Sequence, residues 1–135
     1  VTCMDARMEP LSILGARLGD LHVIRNAGGR VTDDVIRSLV ISQQLLGTEE
    51  ILVMHHTQCG LLDFPQEKLL SRLAETAGPE AACKAKNIDF LPFDDLTESV
   101  REDIRKLQQS PLIPEHIRIY GAIYDVDTGI VEPVE

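Results

Sequence analysis

Three residues able to bind soft metal ions stand out in the sequence. His56 and Cys59 are two residues apart in the run His-Thr-Gln-Cys, so a tight loop can turn both side chains toward one ion. Cys3, far upstream, is the best candidate for a third ligand. One imidazole and two thiolates with a fourth position open form a known catalytic zinc set, and soft thiolates favour zinc over magnesium or calcium. On spacing alone His55 is also a possible ligand, and a buried strand-end histidine beside a small buried cysteine is the structural alternative.

Asp5 and Arg7 could assist such a metal site. They follow Cys3 at alternating positions, so in an extended loop the three side chains point the same way. A carboxylate paired with a guanidinium stays ionised and oriented. Beside a metal, this carboxylate can accept a hydrogen bond from bound water or bind the ion itself. The alternative is a surface ion pair with no chemical role.

The elements before and between these residues predict how they meet. The spacing of apolar and turn residues predicts strands at 1–3, 21–25 and 50–54, with helices at 10–18 and from an N-cap at Thr32 or Asp33 to Gly47. The alternation of strand and helix indicates a parallel sheet. If the first and third strands are neighbours, Cys3 and His56 lie together at the carboxyl ends of parallel strands, where open α/β sheets place their sites.

The second half of the chain completes the predicted fold. Further helices are predicted at 66–76, 81–86 and 97–108, with a strand or extended link at 87–93 and strands at 117–124 and 130–134. The turn Asp127-Thr-Gly129 between the last two strands is typical of a hairpin. The fold class is therefore α/β: a central, mostly parallel β-sheet flanked by helices, with an antiparallel C-terminal edge strand. On the helices, Cys83 is expected to pack, and Glu102 to pair with Lys106 in solvent.

Composition excludes several classes of function. The chain has 135 residues, 44% of them hydrophobic, which fits one domain with its own core. A net charge of −9 without any basic block disfavours nucleic acid as a partner. The apolar runs are too short for a membrane span. Three cysteines, an odd number, argue against a disulfide framework and for a reducing compartment, so we expect a cytoplasmic protein.

Four motifs carry a resemblance to a known family. These are CMDAR at Cys3–Arg7, RNAGG at Arg25–Gly29, HHTQCG at His55–Gly60 and YDVDTG at Tyr124–Gly129. Together, in this order and along nearly the whole chain, they resemble the β-class carbonic anhydrases, in particular the compact bacterial and archaeal branch.

The resemblance implies a role for each candidate. Cys3, His56 and Cys59 match the ligands of one zinc ion per chain, because the family's ligand stands immediately before threonine, which selects His56 over its neighbour. Asp5 and Arg7 match the catalytic pair beside the fourth position. The implied activity is that of a lyase, the reversible hydration of carbon dioxide to bicarbonate and a proton by zinc-bound hydroxide. Hydrolysis of carbonyl sulfide or carbon disulfide at the same site, and a non-catalytic zinc or bicarbonate-binding module, are the alternatives.

The resemblance also bears on the surroundings of the site. Arg25 matches an arginine that contacts anions in some members, although it could instead pair with an acidic residue of this chain. Gly28 and Gly29 precede a helix N-terminus, where backbone N–H groups could hold bicarbonate or simply form a tight turn. Gln58 replaces a residue that is acidic in many relatives, and we expect local tuning there.

The family's domain organisation and assembly complete these expectations. We expect residues 1–135 to form one domain of this family. The chain starts at Val1 directly in a predicted strand, so we also expect its N-terminal helix to be missing. The family implies a homodimer or higher homo-oligomer acting on a small molecule.

Overall fold

A five-stranded sheet forms the centre of the computed structural model, which describes all of residues 1–135. Its strands are β1 Thr2–Cys3, β2 Arg25–Asn26, β3 Glu50–His56, β4 Arg118–Tyr124 and β5 Val131–Val134. They lie in the order β2-β1-β3-β4-β5. The first four are parallel to their neighbours, and β5 runs antiparallel to β4. The predicted mostly parallel sheet with an antiparallel C-terminal edge is thus confirmed, as is the pairing of the first and third strands.

Five α-helices accompany the sheet: α1 Pro10–Ile13, α2 Asp33–Gln44, α3 Gln66–Ala77, α4 Pro79–Ala85 and α5 Leu96–Gln109. Helix α2 begins at the predicted N-cap, because the Thr32 hydroxyl oxygen accepts a hydrogen bond from the Val35 N–H at 3.3 Å. None of the five helices combines the length and the apolar character that a membrane span requires.

Both faces of β3 are covered, which accounts for its nearly continuous apolar sequence. Ile51 and Val53 belong to a core that also includes buried residues of α2 and α5. Met54 belongs to a second core cluster on the other side of the sheet, together with Cys3 and Cys59. The candidate ligands therefore lie at the edge of a packed core, where the surrounding side chains hold them in place.

The first helix is shorter than predicted for residues 10–18. It ends at Ile13, and Gly15 follows in the left-handed region with φ 63°. Leu18, whose spacing suggested one more helical turn, is 92% exposed. The apolar spacing there reflects surface leucines rather than a buried stripe.

Two other segments differ from the prediction, and residues 87–93 follow one of the two alternatives given for them. Strand β2 covers only two residues, because the stretch from Leu21 to Ile24 makes no ladder of its own. For residues 87–93, where a strand or an extended link is predicted, the structure has a link without a strand, and its sheet-like pairing is one isolated bridge between Phe93 and Leu62. Cys83, expected to pack, is exposed on α4, whose buried residues are Ala82 and Ala85.

Candidate metal centre

The sheet brings Cys3, His56 and Cys59 together. Cys3 ends β1, His56 ends the neighbouring β3, and Cys59 follows after a sharp turn. The two sulfurs and an imidazole nitrogen lie within 4.8 Å of one another, and all three residues are buried. This group could hold a metal ion.

The imidazole of His56 is oriented for a ligand. Its Nδ1 lies 2.8 Å from the Thr57 carbonyl oxygen, which can only accept, so Nδ1 carries the proton. Nε2 then has its lone pair free, and it is buried without a hydrogen-bond partner. An unpartnered buried nitrogen is costly in a protein interior. A metal ion at this position would satisfy it.

A hydrogen bond joins the two thiols and shifts their pKa values in opposite directions. The hydrogen bond from Cys59 lowers the pKa of Cys3 to about 4, against the effect of burial, with further contributions from His56 and from the backbone N–H groups of Asp5 and Gly28. The same hydrogen bond, together with burial, raises the pKa of Cys59. One thiolate forms readily while the second proton is retained. A divalent cation would replace that shared proton, so the donor set fits zinc.

The pKa of His56 reflects the same sulfurs. Burial lowers it, but interaction with the Cys3 sulfur and the hydrogen bond to the Thr57 carbonyl outweigh burial and raise the pKa overall. The Cys3 sulfur thus favours positive charge at the His56 ring, and it would favour a bound cation there for the same reason.

Asp5 and Arg7 form a two-pronged ion pair beside the cluster. Arg7 Nε donates to Asp5 Oδ1 at 3.0 Å and Nη2 donates to Oδ2 at 2.8 Å, while the backbone N–H of Arg7 donates to Oδ1 at 2.9 Å. These side-chain and backbone hydrogen bonds hold the pKa of Asp5 well below its usual range. Asp5 Oδ2 lies 3.9 Å from His56 Nε2. The segment is a turn, closed by the Met8 N–H on the Asp5 carbonyl, rather than the extended loop we predicted.

Arg25 contacts the backbone of this turn. Its Nε donates to the Cys3 carbonyl at 3.0 Å and its Nη2 to the Asp5 carbonyl at 2.7 Å. The guanidinium therefore ties β2 to the loop that carries Cys3 and Asp5, and it forms no ion pair with an acidic side chain. Contact with a bound anion stays a prediction.

Gly28 and Gly29 lie against the end of β1. Both have positive φ, at 74° and 68°. A Cβ at Gly29 would lie 2.8 Å from the backbone of Thr2 and Cys3, and one at Gly28 would lie 2.6 Å from Leu61 Cδ1. Close backbone approach together with positive φ thus requires glycine at position 29, whereas at position 28 the positive φ and the Leu61 side chain favour it. The presence of these glycines is explained without the predicted contact between Gly28, Gly29 and bicarbonate, which stays a prediction.

A buried network of polar and charged residues, not predicted from the sequence, lies next to the cluster. His55 has no exposed surface, and its Nδ1 lies 2.8 Å from the Ser99 hydroxyl. Its Nε2 lies 3.2 Å from Asp103 Oδ2, and Arg30 Nε lies 3.0 Å from the same oxygen. His55 is thus a packed residue that supports the end of β3, as expected for the histidine not chosen as ligand.

The same network corrects the pairing predicted on α5. Glu102 accepts from Arg30 Nη2 at 2.9 Å, so its predicted partnership with Lys106 is wrong. A signal was present in the sequence: Asp103 lies between Val100 and Leu107 on the helix face that is buried. A carboxylate on an apolar stripe requires a buried partner.

Comparison with known proteins identifies the family. A sequence profile described as carbonic anhydrase matches residues 1–131. β-Carbonic anhydrase 1 of Mycobacterium tuberculosis is 41% identical over 134 residues, which make up 99% of this chain and 79% of that protein. A carbon disulfide hydrolase of Acidithiobacillus thiooxidans is 34% identical over 146 residues, covering 97% of this chain and 73% of that protein.

A solved structure gives the same result. The crystal structure of carbonic anhydrase from Streptococcus mutans matches with a TM-score of 0.91 and 58% identity, over 100% of this chain and 79% of that one. Fold, sequence and the grouping of the motif residues agree, and the chain belongs to the carbonic anhydrase family, in its β class.

Proposed function

We propose that this chain is a zinc enzyme that reversibly hydrates carbon dioxide to bicarbonate and a proton. The observation that carries the proposal is the buried cluster of Cys3, His56 and Cys59 with the Asp5 carboxylate beside it but turned onto Arg7. Family membership supports the same activity.

In this proposal Cys3, His56 and Cys59 hold one zinc ion per chain. The chemistry that zinc supplies in such a site is a hydroxide nucleophile at neutral pH, because the metal lowers the pKa of water to about 7. Protein groups supply three ligands, and a fourth position is left for water, as in other catalytic zinc sites.

Asp5 and Arg7 prepare the fourth position. Since Arg7 holds the pKa of Asp5 low, the carboxylate is ionised and can only accept hydrogen bonds. The carboxylate would therefore accept a hydrogen bond from the attacking hydroxide and leave a lone pair of the hydroxide oxygen facing the substrate. Arg7 donates hydrogen bonds to both oxygens of Asp5 and so restrains the carboxylate from occupying the fourth position itself.

Arg7→Ala tests this restraint. Without the guanidinium, Asp5 loses both side-chain hydrogen bonds and becomes free to turn toward His56 Nε2 and occupy the fourth position. We expect kcat/KM for carbon dioxide hydration, measured by stopped flow, to fall by about 100-fold, the scale of loss when a reacting group is displaced by about 1 Å. Arg17→Ala is the matched control, because Arg17 is 91% exposed and pairs only with Asp20. Full activity in Arg7→Ala would refute the role.

A second candidate function comes from the relatives. Proteins named carbon disulfide hydrolase align over most of this chain, at 34% identity in one case against 41% for a β-carbonic anhydrase. The test is to compare turnover of carbon dioxide, carbonyl sulfide and carbon disulfide by the same zinc-loaded preparation. We expect the highest kcat/KM for carbon dioxide. A higher value for either sulfur compound would overturn the proposed substrate, and no turnover at full zinc content would favour a non-catalytic zinc or bicarbonate-binding module.

We further propose a homodimer or higher homo-oligomer and a cytoplasmic location. Strand β2 lies at the open edge of the sheet, and large apolar side chains are exposed on the surface, including Leu18 at 92%, Leu45 at 73% and Leu46 at 61%. Light scattering of the purified chain tests the assembly, and a monomer at micromolar concentration would contradict it. The exposed, unpaired thiol of Cys83 supports a reducing compartment. One continuous sheet supports the proposal that residues 1–135 form one domain.

A further inference from the structure

A hydrogen-bonded chain extends from the Asp5–Arg7 pair to the hairpin at the other end of the protein sequence. Arg7 Nη1 donates to Gln58 Oε1 at 3.0 Å, and Nη2 donates to the Gln58 backbone carbonyl at 3.2 Å. Gln58 Nε2 in turn donates to Asp127 Oδ2 at 2.6 Å. We propose that Gln58 and Asp127 are positioning residues that fix the orientation of Arg7 toward Asp5, an inference that rests on the proposed function.

The chemistry of the three groups suits an amide between them in this chain. The guanidinium of Arg7 has only donors, and the carboxylate of Asp127 has only acceptors on the side facing Gln58. A glutamine offers one acceptor and one donor from a single planar group, so its oxygen faces Arg7 and its nitrogen faces Asp127. A glutamate at position 58 would place two carboxylates against each other at this contact.

The Arg7 guanidinium is consequently held on two sides. Nε and Nη2 engage Asp5, while Nη1 and Nη2 engage Gln58. A two-sided arrangement fixes the plane of the guanidinium, which a single ion pair on an exposed side chain does not. The orientation of Asp5 then depends on groups beyond the pair itself.

Backbone geometry supports a specific role for Gln58. Its φ of 57° lies in the left-handed region, which non-glycine residues enter only at a cost. The same residue presents both its carbonyl and its side-chain oxygen to Arg7. This strained position lies between His56 and Cys59, so the loop that presents the cluster also orients the pair beside it.

Asp127, at the end of this series of hydrogen bonds, is held in place by its own turn. Asp127 belongs to the turn after β4, where its N–H and that of Thr128 donate to Asp125 Oδ1 at 2.8 and 2.9 Å. The neighbouring Val126 N–H donates to the Thr57 hydroxyl at 3.0 Å, which ties this turn to the loop that carries Gln58. Asp127 is therefore an acceptor in a fixed place rather than a free surface carboxylate.

The competing explanation is a set of surface hydrogen bonds without consequence, because Gln58 and Asp127 are both exposed. Substitutions that change which side chain donates and which accepts at positions 58 and 127 separate the two explanations. Gln58→Met removes both side-chain hydrogen bonds at nearly constant length. Gln58→Glu keeps the acceptor for Arg7 but opposes Asp127. Adding Asp127→Asn to Gln58→Glu supplies a new donor to the carboxylate introduced at position 58. Arg7 still donates to position 58, and only the hydrogen bond between positions 58 and 127 reverses its direction.

We expect kcat/KM of the zinc-loaded enzyme to fall about tenfold in Gln58→Met and in Gln58→Glu, the order of magnitude for one hydrogen bond to a charged group. Asp127→Asn alone retains a weaker acceptor for Gln58, so its kcat/KM should fall by about threefold, less than in the Gln58 variants. The double variant Gln58→Glu/Asp127→Asn should be more active than Gln58→Glu, a coupling that independent surface groups do not show. Gln108→Met, an exposed glutamine on α5, is the matched control.

A readout independent of turnover is the visible spectrum of the cobalt-substituted protein, which changes when a carboxylate replaces water as the fourth ligand. We expect the Gln58→Met spectrum to shift toward that of Arg7→Ala, and the double variant to return toward the parent. Parent-like activity and spectrum in Gln58→Met, or a double variant no better than Gln58→Glu, would overturn the proposal. If the parent itself hydrates no carbon dioxide, the proposed function fails, while the cobalt spectra still decide the positioning role.

Discussion

Cys59→Ser is expected to bind far less than one zinc per chain. Cys59 is buried, at 6% exposure, and supplies one of only three ligand atoms in the cluster. A serine hydroxyl is a harder donor that does not ionise near neutral pH, so the thiolate is lost without replacement. Because substitutions that only support a ligand reduce metal affinity by about 10–100-fold, loss of the ligand itself should exceed about 100-fold.

Metal analysis after dialysis against a weak chelator measures this effect. Cys83→Ser is the matched control, because it makes the same chemical change at an exposed thiol on α4. The control should retain the parent's zinc content, and Cys59→Ser should also unfold at a lower temperature, since a bound ion stabilises only the folded state. A full complement of zinc in Cys59→Ser would refute the ligand set.

Asp103→Ala should be strongly destabilising. The Asp103 side chain is 3% exposed and lies within 3.2 Å of both Arg30 and His55, themselves almost fully buried. Removing the carboxylate leaves the buried Arg30 guanidinium with the half-exposed Glu102 as its one remaining acidic partner. Breaking one side of a buried ion pair costs about 3–5 kcal/mol in free energy of unfolding.

Urea denaturation of the zinc-loaded protein measures that cost. Glu98→Ala is the control on the same helix, because Glu98 is 46% exposed and its ion pairs lie in solvent. Its free energy of unfolding should change by about 1 kcal/mol or less. If Asp103→Ala were equally mild, the buried network would not support the end of β3 in the way the contacts indicate.

Much of the architecture was predictable because its signals are local. The apolar run in β3, the threonine N-cap of α2 and the turn before β5 each follow from neighbouring residues in the sequence. Once these elements were placed, the meeting of Cys3 with His56 followed from the order of strands in a parallel sheet. The four motifs then selected His56 over His55.

What the sequence did not predict depends on partners that are distant in the chain. Arg25 bonds to backbone carbonyls, which no sequence pattern marks. Arg30 pairs with α5, and Gln58 bridges Arg7 to a turn near the C-terminus. The length of α1 was wrong for a different reason: helical spacing of leucines indicates a helix only when those leucines are buried, and burial is decided by the rest of the fold.

The most direct test of the account is a zinc titration of the metal-free chain, followed by carbon dioxide hydration at each step. We predict that activity is absent without metal, rises in proportion to bound zinc and stops rising at about one equivalent per chain, as one three-ligand cluster requires. Full binding of zinc without hydration, or hydration that is independent of zinc, would contradict it.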